Sequence, residues 1–363
     1  MRYLQNANIH EKNPEAMART TTDSDSSLSR AMGWAALGAG ALLATKAIYR
    51  EFTKYDFNGK VVLITGGARG LGLIMARQLA VKGARIALCS RTEQQVERAR
   101  KELEQRGAEV LALTVDVTRQ EQVQSLIQRV IGHYGHLDVL INNAGIITGG
   151  PQDSMGIEEY RQAMNIHFWA PLYTMHAVIP HFKERGSGRI VNITSIGGKV
   201  AVPHLLPYSA SKFAMVGLSE GMHNELRKFG IKVTTVVPHL MRTGSPRNAF
   251  IKGNHEVEYA LFKFLDSSPL FSQDARVAAR TIIKAVEYGE REVILTVSAR
   301  LATVLQGVAP GWMNAVMGLA NRFLPDNVEG GDKTRRGYES ESDLSRGPAT
   351  ERTDKAALDN NEV

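Results

Sequence analysis

Seven short apolar runs, most of them rich in β-branched residues, punctuate the chain between Lys60 and Thr296: VVLIT (61–65), RIALC (85–89), EVLALTV (109–115), LDVLI (137–141), RIVNIT (189–194), KVTTVV (232–237) and EVILT (292–296). Amphipathic stretches of helix length separate them. A strand that is apolar on both faces must be covered on both, and strands alternating with helices make repeated βαβ units around a parallel sheet. The pattern predicts a doubly wound α/β fold of Rossmann type, with about seven parallel strands in three α/β/α layers, an apolar helix before it and a helical extension after it. Ligands of such folds bind beyond the carboxyl ends of the strands.

The chain of 363 residues has room for this domain, placed at 57–298, and for segments on both sides of it. Residues 1–30 are polar and rich in Thr, Ser and Asp, and are expected to be disordered. Residues 31–45, AMGWAALGAGALLAT, carry no charge. A helix over them would be about 22 Å long, and one continued through Tyr49 about 28 Å, against a hydrocarbon core of ~30 Å. Residues 31–49 are therefore a candidate membrane-anchor helix, with Lys46 reaching back to the headgroups. Lys46, Arg50 and Lys54 would hold the main domain on the cytoplasmic face. An Ala/Gly-rich helix packed on protein is the alternative; a cleaved secretory signal fits less well, because the apolar stretch starts late.

Residues 299–325 read as an amphipathic helical extension. Leu301, Val304, Leu305 and Val308 form one stripe, Pro310-Gly311 interrupts it, and Trp312, Val316, Leu319 and Phe323 form a second. The stripes are expected to pack on the core or a subunit, with membrane contact as the other reading. Residues 326–363 are highly charged and poor in apolar groups, and are expected to be a disordered tail.

The net charge is +7, but Lys and Arg are spread along the chain and no nucleic-acid-binding motif accompanies them, so no nucleic-acid partner is expected. Cys89 is the single cysteine. It permits no intrachain disulfide and reads as a small core residue. No Cys/His cluster has metal-ligand spacing, and no metal is expected.

The first run leads straight into TGGARGLG (65–72), with Gly66, Gly70 and Gly72 spaced G-x-x-x-G-x-G. Glycines admit turn angles closed to other residues, and their missing side chains let a pyrophosphate approach backbone N–H groups at a helix N-terminus. The strand-to-helix setting makes a dinucleotide site of Gly66, Ala68, Arg69, Gly70, Leu71 and Gly72. A fold that prefers NAD usually carries a carboxylate about 20 residues further on, for the ribose 2′-hydroxyl. Here that place reads Cys89-Ser90-Arg91. Arg91 can pair with a 2′-phosphate and Arg69 can add a second charge, so the expected cofactor is NADP(H).

In YSASK (208–212), Tyr208 and Lys212 are four residues apart and share a helix face. A phenol with its ordinary pKa of ~10 is a poor acid or base near neutrality, and a neighbouring ammonium favours the phenolate. Ser195 ends the preceding strand, which puts its hydroxyl at the carboxyl edge of the sheet.

In TGGARGLG, NNAG (142–145), Ser195 within NITS, and YSASK, the chain resembles the short-chain dehydrogenase/reductase family over roughly residues 57–296. The resemblance implies that Ser195, Tyr208 and Lys212 are catalytic, and that Asn143, Ala144 and Gly145 border the cofactor. It implies that Asp116 and Val117 lie at the adenine, and that Tyr208, Lys212 and Pro238 contact the nicotinamide end. Two positions depart from the family pattern. The slot of its usual relay Asn holds His167, with Asn165 two residues earlier on nearly the opposite face; His167 is expected to pass the proton instead. The family's Pro-Gly reads Pro238-His239.

Residues 240–272 fit a variable lid, and EVEYALFKFL (256–265) with Phe250 and Phe271 suggests a hydrophobic alcohol or ketone. The expected function is NADP(H)-dependent interconversion of a hydrophobic alcohol and its ketone or aldehyde. The alternative is a catalytically silent, cofactor-binding scaffold or redox sensor at a membrane. By analogy with the family, the chain is expected to form a homo-oligomer. The enzymatic reading fails if the Tyr208 ring oxygen turns away from the crevice, or if the chain itself fills the nucleotide groove.

Overall fold

In the computed structural model, residues 50–363 are described without a break, and before them only Met32, Trp34, Gly40 and Thr45, each helical. The expected disordered stretch 1–30 and nearly all of the candidate anchor 31–49 lie outside the described residues. Residues Tyr55–Val363 form one compact unit.

Alternate residues of the first strand feed two separate cores. Val62 and Ile64 join Ile86 and Leu88 on one face of the sheet; Val61 and Leu63 join Ala87 and Cys89 on the other. Apolar groups at every position are what a sheet covered on both sides requires. Seven parallel strands result: β1 (Val61–Thr65), β2 (Arg85–Ser90), β3 (Val110–Thr114), β4 (Val139–Asn142), β5 (Gly188–Ile193), β6 (Ile231–Val237) and β7 (Glu292–Ile294). Their order across the sheet is β7-β6-β5-β4-β1-β2-β3. Helices α1 (Gly70–Val81), α2 (Glu93–Gln105) and α9 (Ala275–Tyr288) cover one face. Helices α3 (Gln120–Tyr134), α5 (Ala170–Glu184) and α6 (Leu206–Leu226) cover the other. This is the expected doubly wound sheet. Its strand order reverses between β1 and β4, and the crevice for a ligand opens there.

Burial of Cys89 pushes its thiol up to about 12, as suits an inert packing residue. Helix α4 (Ile157–Met164) runs into α5 through a π turn at Asn165–Trp169. Between β6 and β7, in the segment read as a lid, lie α7 (Ser245–Asn248) and α8 (His255–Ser267).

One expectation for the C-terminal third needs correction and another is narrowed. The extension forms α10 (Val297–Val308) and α11 (Pro310–Asn321), broken at Pro310 as read; its stripe is not packed on the core, which leaves a subunit or a membrane as its expected partner. Leu301, Val304, Val308, Trp312 and Phe323 are each more than 60% exposed. Nor do residues 326–363 behave as a disordered tail. Arg335–Arg336 pairs antiparallel with Phe250–Ile251, and α12 (Glu351–Asp359) packs on α8. The reason lies in the lid. Lys263 and Asp266 point inward from α8, and the segment supplies their partners: Asp354 is 2.8 Å from Lys263 Nζ, and Thr353 Oγ1 donates to Asp266 Oδ2 at 2.9 Å. A buried charge needs such partners, and charge on a tail can meet that need as well as it can keep a chain solvated.

Candidate active site

Gly66 and Gly70 turn the chain from β1 into α1 with φ of +62° and +54°, angles that favour glycine. A Cβ on Gly66 would come within 2.9 Å of Ala144 Cα, and one on Gly72 would collide with the Gly66 carbonyl. Asn143 braces the loop: its Nδ2 donates to Thr65 O and Gly66 O, each at 3.1 Å. The N–H groups of Asn143 and Ala144 both donate to Thr65 Oγ1. Asn143, Ala144 and the exposed Gly145 are thus brought beside the loop as its frame. Ala68 and Leu71 are buried under it, and Arg69 stands at the mouth of α1.

At the end of β2, Ser90 is followed by the exposed Arg91. Asp116 is near, although its Oδ1 already accepts from Thr118 N and Oγ1, and Val117 is buried. Arg91, Thr114, Val115, Asp116 and Gln122 line a cavity of about 280 Å³. A third guanidinium stands within electrostatic reach. Arg336 stacks over the Phe250 ring at 3.8 Å; burial lowers its pKa, and the positive charges of Arg69 and Arg91 lower it further. Sequence reasoning missed Arg336 because it had placed that residue in a solvated tail.

The glycine cradle, the helix N-terminus and the three guanidiniums fit a phosphorylated dinucleotide. One part of that space is already taken. Gly70 N donates to Asn360 O at 2.9 Å, and Asn361 Nδ2 donates to Ala68 O and Gln95 O at 2.8 and 3.0 Å. Glu362 is buried against Gly70 and Gly244. Residues 360–362 therefore pack on the glycine turn, while the cavity beside Asp116 stays open.

At the other end, Ser195 Oγ accepts from Gly197 N at 3.0 Å at the close of β5. Tyr208 and Lys212 rise on the first turns of α6, below Leu206 and Pro207. Burial raises the Tyr208 pKa and a hydrogen bond with Ser195 draws it back, so hydroxyl and phenol are brought together. Lys212 is buried, with Nζ 5.7 Å from the Tyr208 ring centroid and donating to Ile193 O at 2.9 Å. Removal from water brings its ammonium down to about 7. The expected lowering of Tyr208 by Lys212 does not figure among the causes acting on the phenol; burial dominates. Among the described residues, none of the hydrogen bonds or ion pairs of 351–363 reaches Ser195, Tyr208 or Lys212.

The two candidates for the relay slot separate cleanly. Asn165 is exposed and His167 is buried. His167 Nε2 accepts from Ile146 N at 3.2 Å, which leaves the ring proton on Nδ1, 2.8 Å from Ser211 Oγ. Ser211 in turn donates to Tyr208 O at 2.8 Å. Both ring nitrogens are engaged, and through Ser211 the His167 ring braces the turn that carries Tyr208. Burial, and then the charge of Lys212, lower its pKa well below the usual value and keep the imidazole neutral. Pro238 is buried and accepts from Ile196 N at 2.7 Å. His239 is tied to the lid through Phe271 O at 2.9 Å.

A glycine-rich strand-to-helix cradle, with half-buried Ser195 and Tyr208 and buried Lys212 at the same carboxyl edge of the sheet, defines a nicotinamide-dependent oxidoreductase of the doubly wound class. The short chain dehydrogenase profile matches residues 60–252, and this chain belongs to that family. It is 32% identical over 259 residues to the "Dehydrogenase/reductase SDR family protein 7-like" of Anopheles gambiae, covering 70% of this chain and 80% of that one. It is 29% identical over 285 residues to the "Fatty acyl-CoA reductase" of Acinetobacter baylyi, covering 78% and 90%. Among solved structures, levodione reductase superposes with a TM-score of 0.59 at 25% identity, covering 66% of this chain and 96% of that one.

Proposed function

We propose that this oxidoreductase uses NADP(H) to interconvert a hydrophobic alcohol and its ketone or aldehyde. The observation that carries the reading is the gathering of Ser195, Tyr208 and Lys212 at the sheet edge that also carries the glycine cradle. Arg69, Arg91 and Arg336, with no carboxylate at the end of β2, favour a 2′-phosphate over a bare ribose. When bound, the nicotinamide supplies or takes the hydride. Tyr208 gives its phenolic proton to the carbonyl oxygen as negative charge gathers there, and Ser195 holds the same oxygen. Burial keeps the phenol protonated at neutral pH, which suits a donor in the reductive direction. Lys212, buried against Ile193 O, orients the ring. The exposed Phe264, Leu270 and Phe271 on and after the lid helix support an apolar substrate, as does a relative named for reduction of fatty acyl-CoA.

A second reading, a catalytically silent scaffold, is favoured by one observation: residues 360–363 lie where the phosphates would bind. NADPH consumption across apolar ketones and aldehydes decides between the two. Tyr208→Phe should lower turnover by at least about 100-fold, and Arg91→Ala should weaken NADPH about tenfold while sparing NADH. Equal turnover in wild type and Tyr208→Phe removes the chemistry; equal NADPH affinity in Arg91→Ala removes the cofactor preference.

Attachment to an anionic membrane surface belongs to the same reading. Residues 297–325 contain no Asp or Glu and carry Arg300 and Arg322 beside the open apolar stripe. Among the described residues no helix is long and apolar enough to cross a membrane, so the helix pair would lie in the interface.

A further inference from the structure

We infer that residues Asn360–Val363 are an intramolecular plug of the nucleotide groove, which the cofactor must displace before the enzyme can turn over. The inference rests on the reading of the glycine loop as a dinucleotide cradle.

The segment takes up the groups that a dinucleotide would use. The first N–H groups of a helix have no partner within the helix and favour an anion. One of them, Gly70 N, donates instead to Asn360 O. Asn361, held at a left-handed φ of 58°, spans from the loop to the start of α2: its Nδ2 bridges Ala68 O and Gln95 O. That bridge ties the glycine loop to the first turn of α2 through the tail. Arg77 anchors the approach through Asn360 Oδ1 at 3.0 Å and Asp359 O at 2.9 Å, and Arg98 holds Val363 O at 3.1 Å. Glu362 then places its carboxyl against the glycine turn, so close that a Cβ on Gly70 would lie 2.7 Å from Glu362 Oε1.

The occupant is a poor one, which marks it as displaceable. Glu362 is 6% exposed, yet its Oε2 has no hydrogen-bond partner. A buried oxygen without a partner works against the docked state. Burial pushes the carboxyl up to about 8, with Arg69 drawing it down and Asp266 pushing it higher, so at neutral pH it brings little charge to a cradle suited to anions. A pyrophosphate would bring the charge that Glu362 lacks. The lid-bound helix α12 needs no movement for exchange, because only the residues after Asp359 lie on the loop.

The test compares the full chain with one shortened to end at Asp359, and with a full-length Asn361→Ala/Glu362→Ala variant as a guard against misfolding. NADPH affinity is read by calorimetry, and protection of residues 351–363 by hydrogen exchange. The shortened chain should bind NADPH about tenfold more tightly or better, the double variant should lie in between, and NADPH should strip protection from 360–363 in the full chain. The peptide LDNNEV (358–363), added in trans, should compete with NADPH for the shortened chain at millimolar concentration. Equal affinities in all three chains, or tail protection unchanged with NADPH bound, overturn the plug and leave the cofactor reading standing. If no form binds NADPH or NADH, the cofactor reading fails, and the plug fails with it.

Discussion

Lys212 shows how far a single side chain can be displaced from its ordinary chemistry. It is buried among backbone and Met215, and loss of water brings its ammonium down to about 7. The unfolded chain would hold that proton up to its ordinary pKa of ~10.4. A depressed lysine opposes folding most strongly below the folded pKa, where the buried group must be charged. The penalty fades as pH rises from 7 towards the unfolded value, because the folded state has already released the proton. Lys212→Met should therefore raise the melting temperature relative to wild type most at pH 6, less at pH 8 and scarcely at pH 10, while removing turnover. A stabilisation that is the same at all three values would show that the lysine is not held out of water. That Ser195, Tyr208 and Lys212 would come together was legible from the chain, because it depends on one strand end and one helix turn. The direction of the Tyr208 shift was not: it depends on what buries the ring, and spacing carries no information about that.

At the scale of elements, the π turn at Asn165–Trp169 sets the site. A π turn widens the helix by one residue and is often found where a helix serves a function. Here it presents His167 inward between Ile146 and Ser211 and leaves Asn165 in solvent. Removing the imidazole leaves a buried N–H and a hydroxyl short of a partner, a destabilisation on the order of 1–3 kcal/mol for each unsatisfied group. His167→Ala should lower kcat roughly tenfold through a misplaced Tyr208 with no change in the pH profile, and His167→Asn should recover part of the loss. A pH profile that changes shape in His167→Ala would favour the expected relay over this bracing role. Choosing between residues 165 and 167 was open to helical geometry, since positions two apart diverge. The π turn itself, and the engagement of both ring nitrogens, depend on partners 21 and 44 residues away and leave no local mark.

Across the whole molecule, the seven strands and their doubly wound arrangement followed from the apolar pattern, while residues 326–363 did not. Composition describes a segment alone in water, and it could not register that Lys263 and Asp266 face inward from the lid in need of Asp354 and Thr353. Composition also did not show where the stripe on α10 and α11 would end up, and it remains uncovered. On the proposed membrane role, the full chain should co-sediment with vesicles containing phosphatidylserine. Trp312→Ser/Phe323→Ser should weaken this severalfold, given the apolar area each ring contributes. Unchanged sedimentation would detach the helix pair from that role. The docking of Asn360–Val363 has a consequence that reaches beyond affinity. A competitor tethered to its own target cannot be diluted away, and each molecule carries one copy. The threshold it sets is then the same at any abundance of the enzyme and answers only to the level of free nucleotide, oxidised and reduced alike.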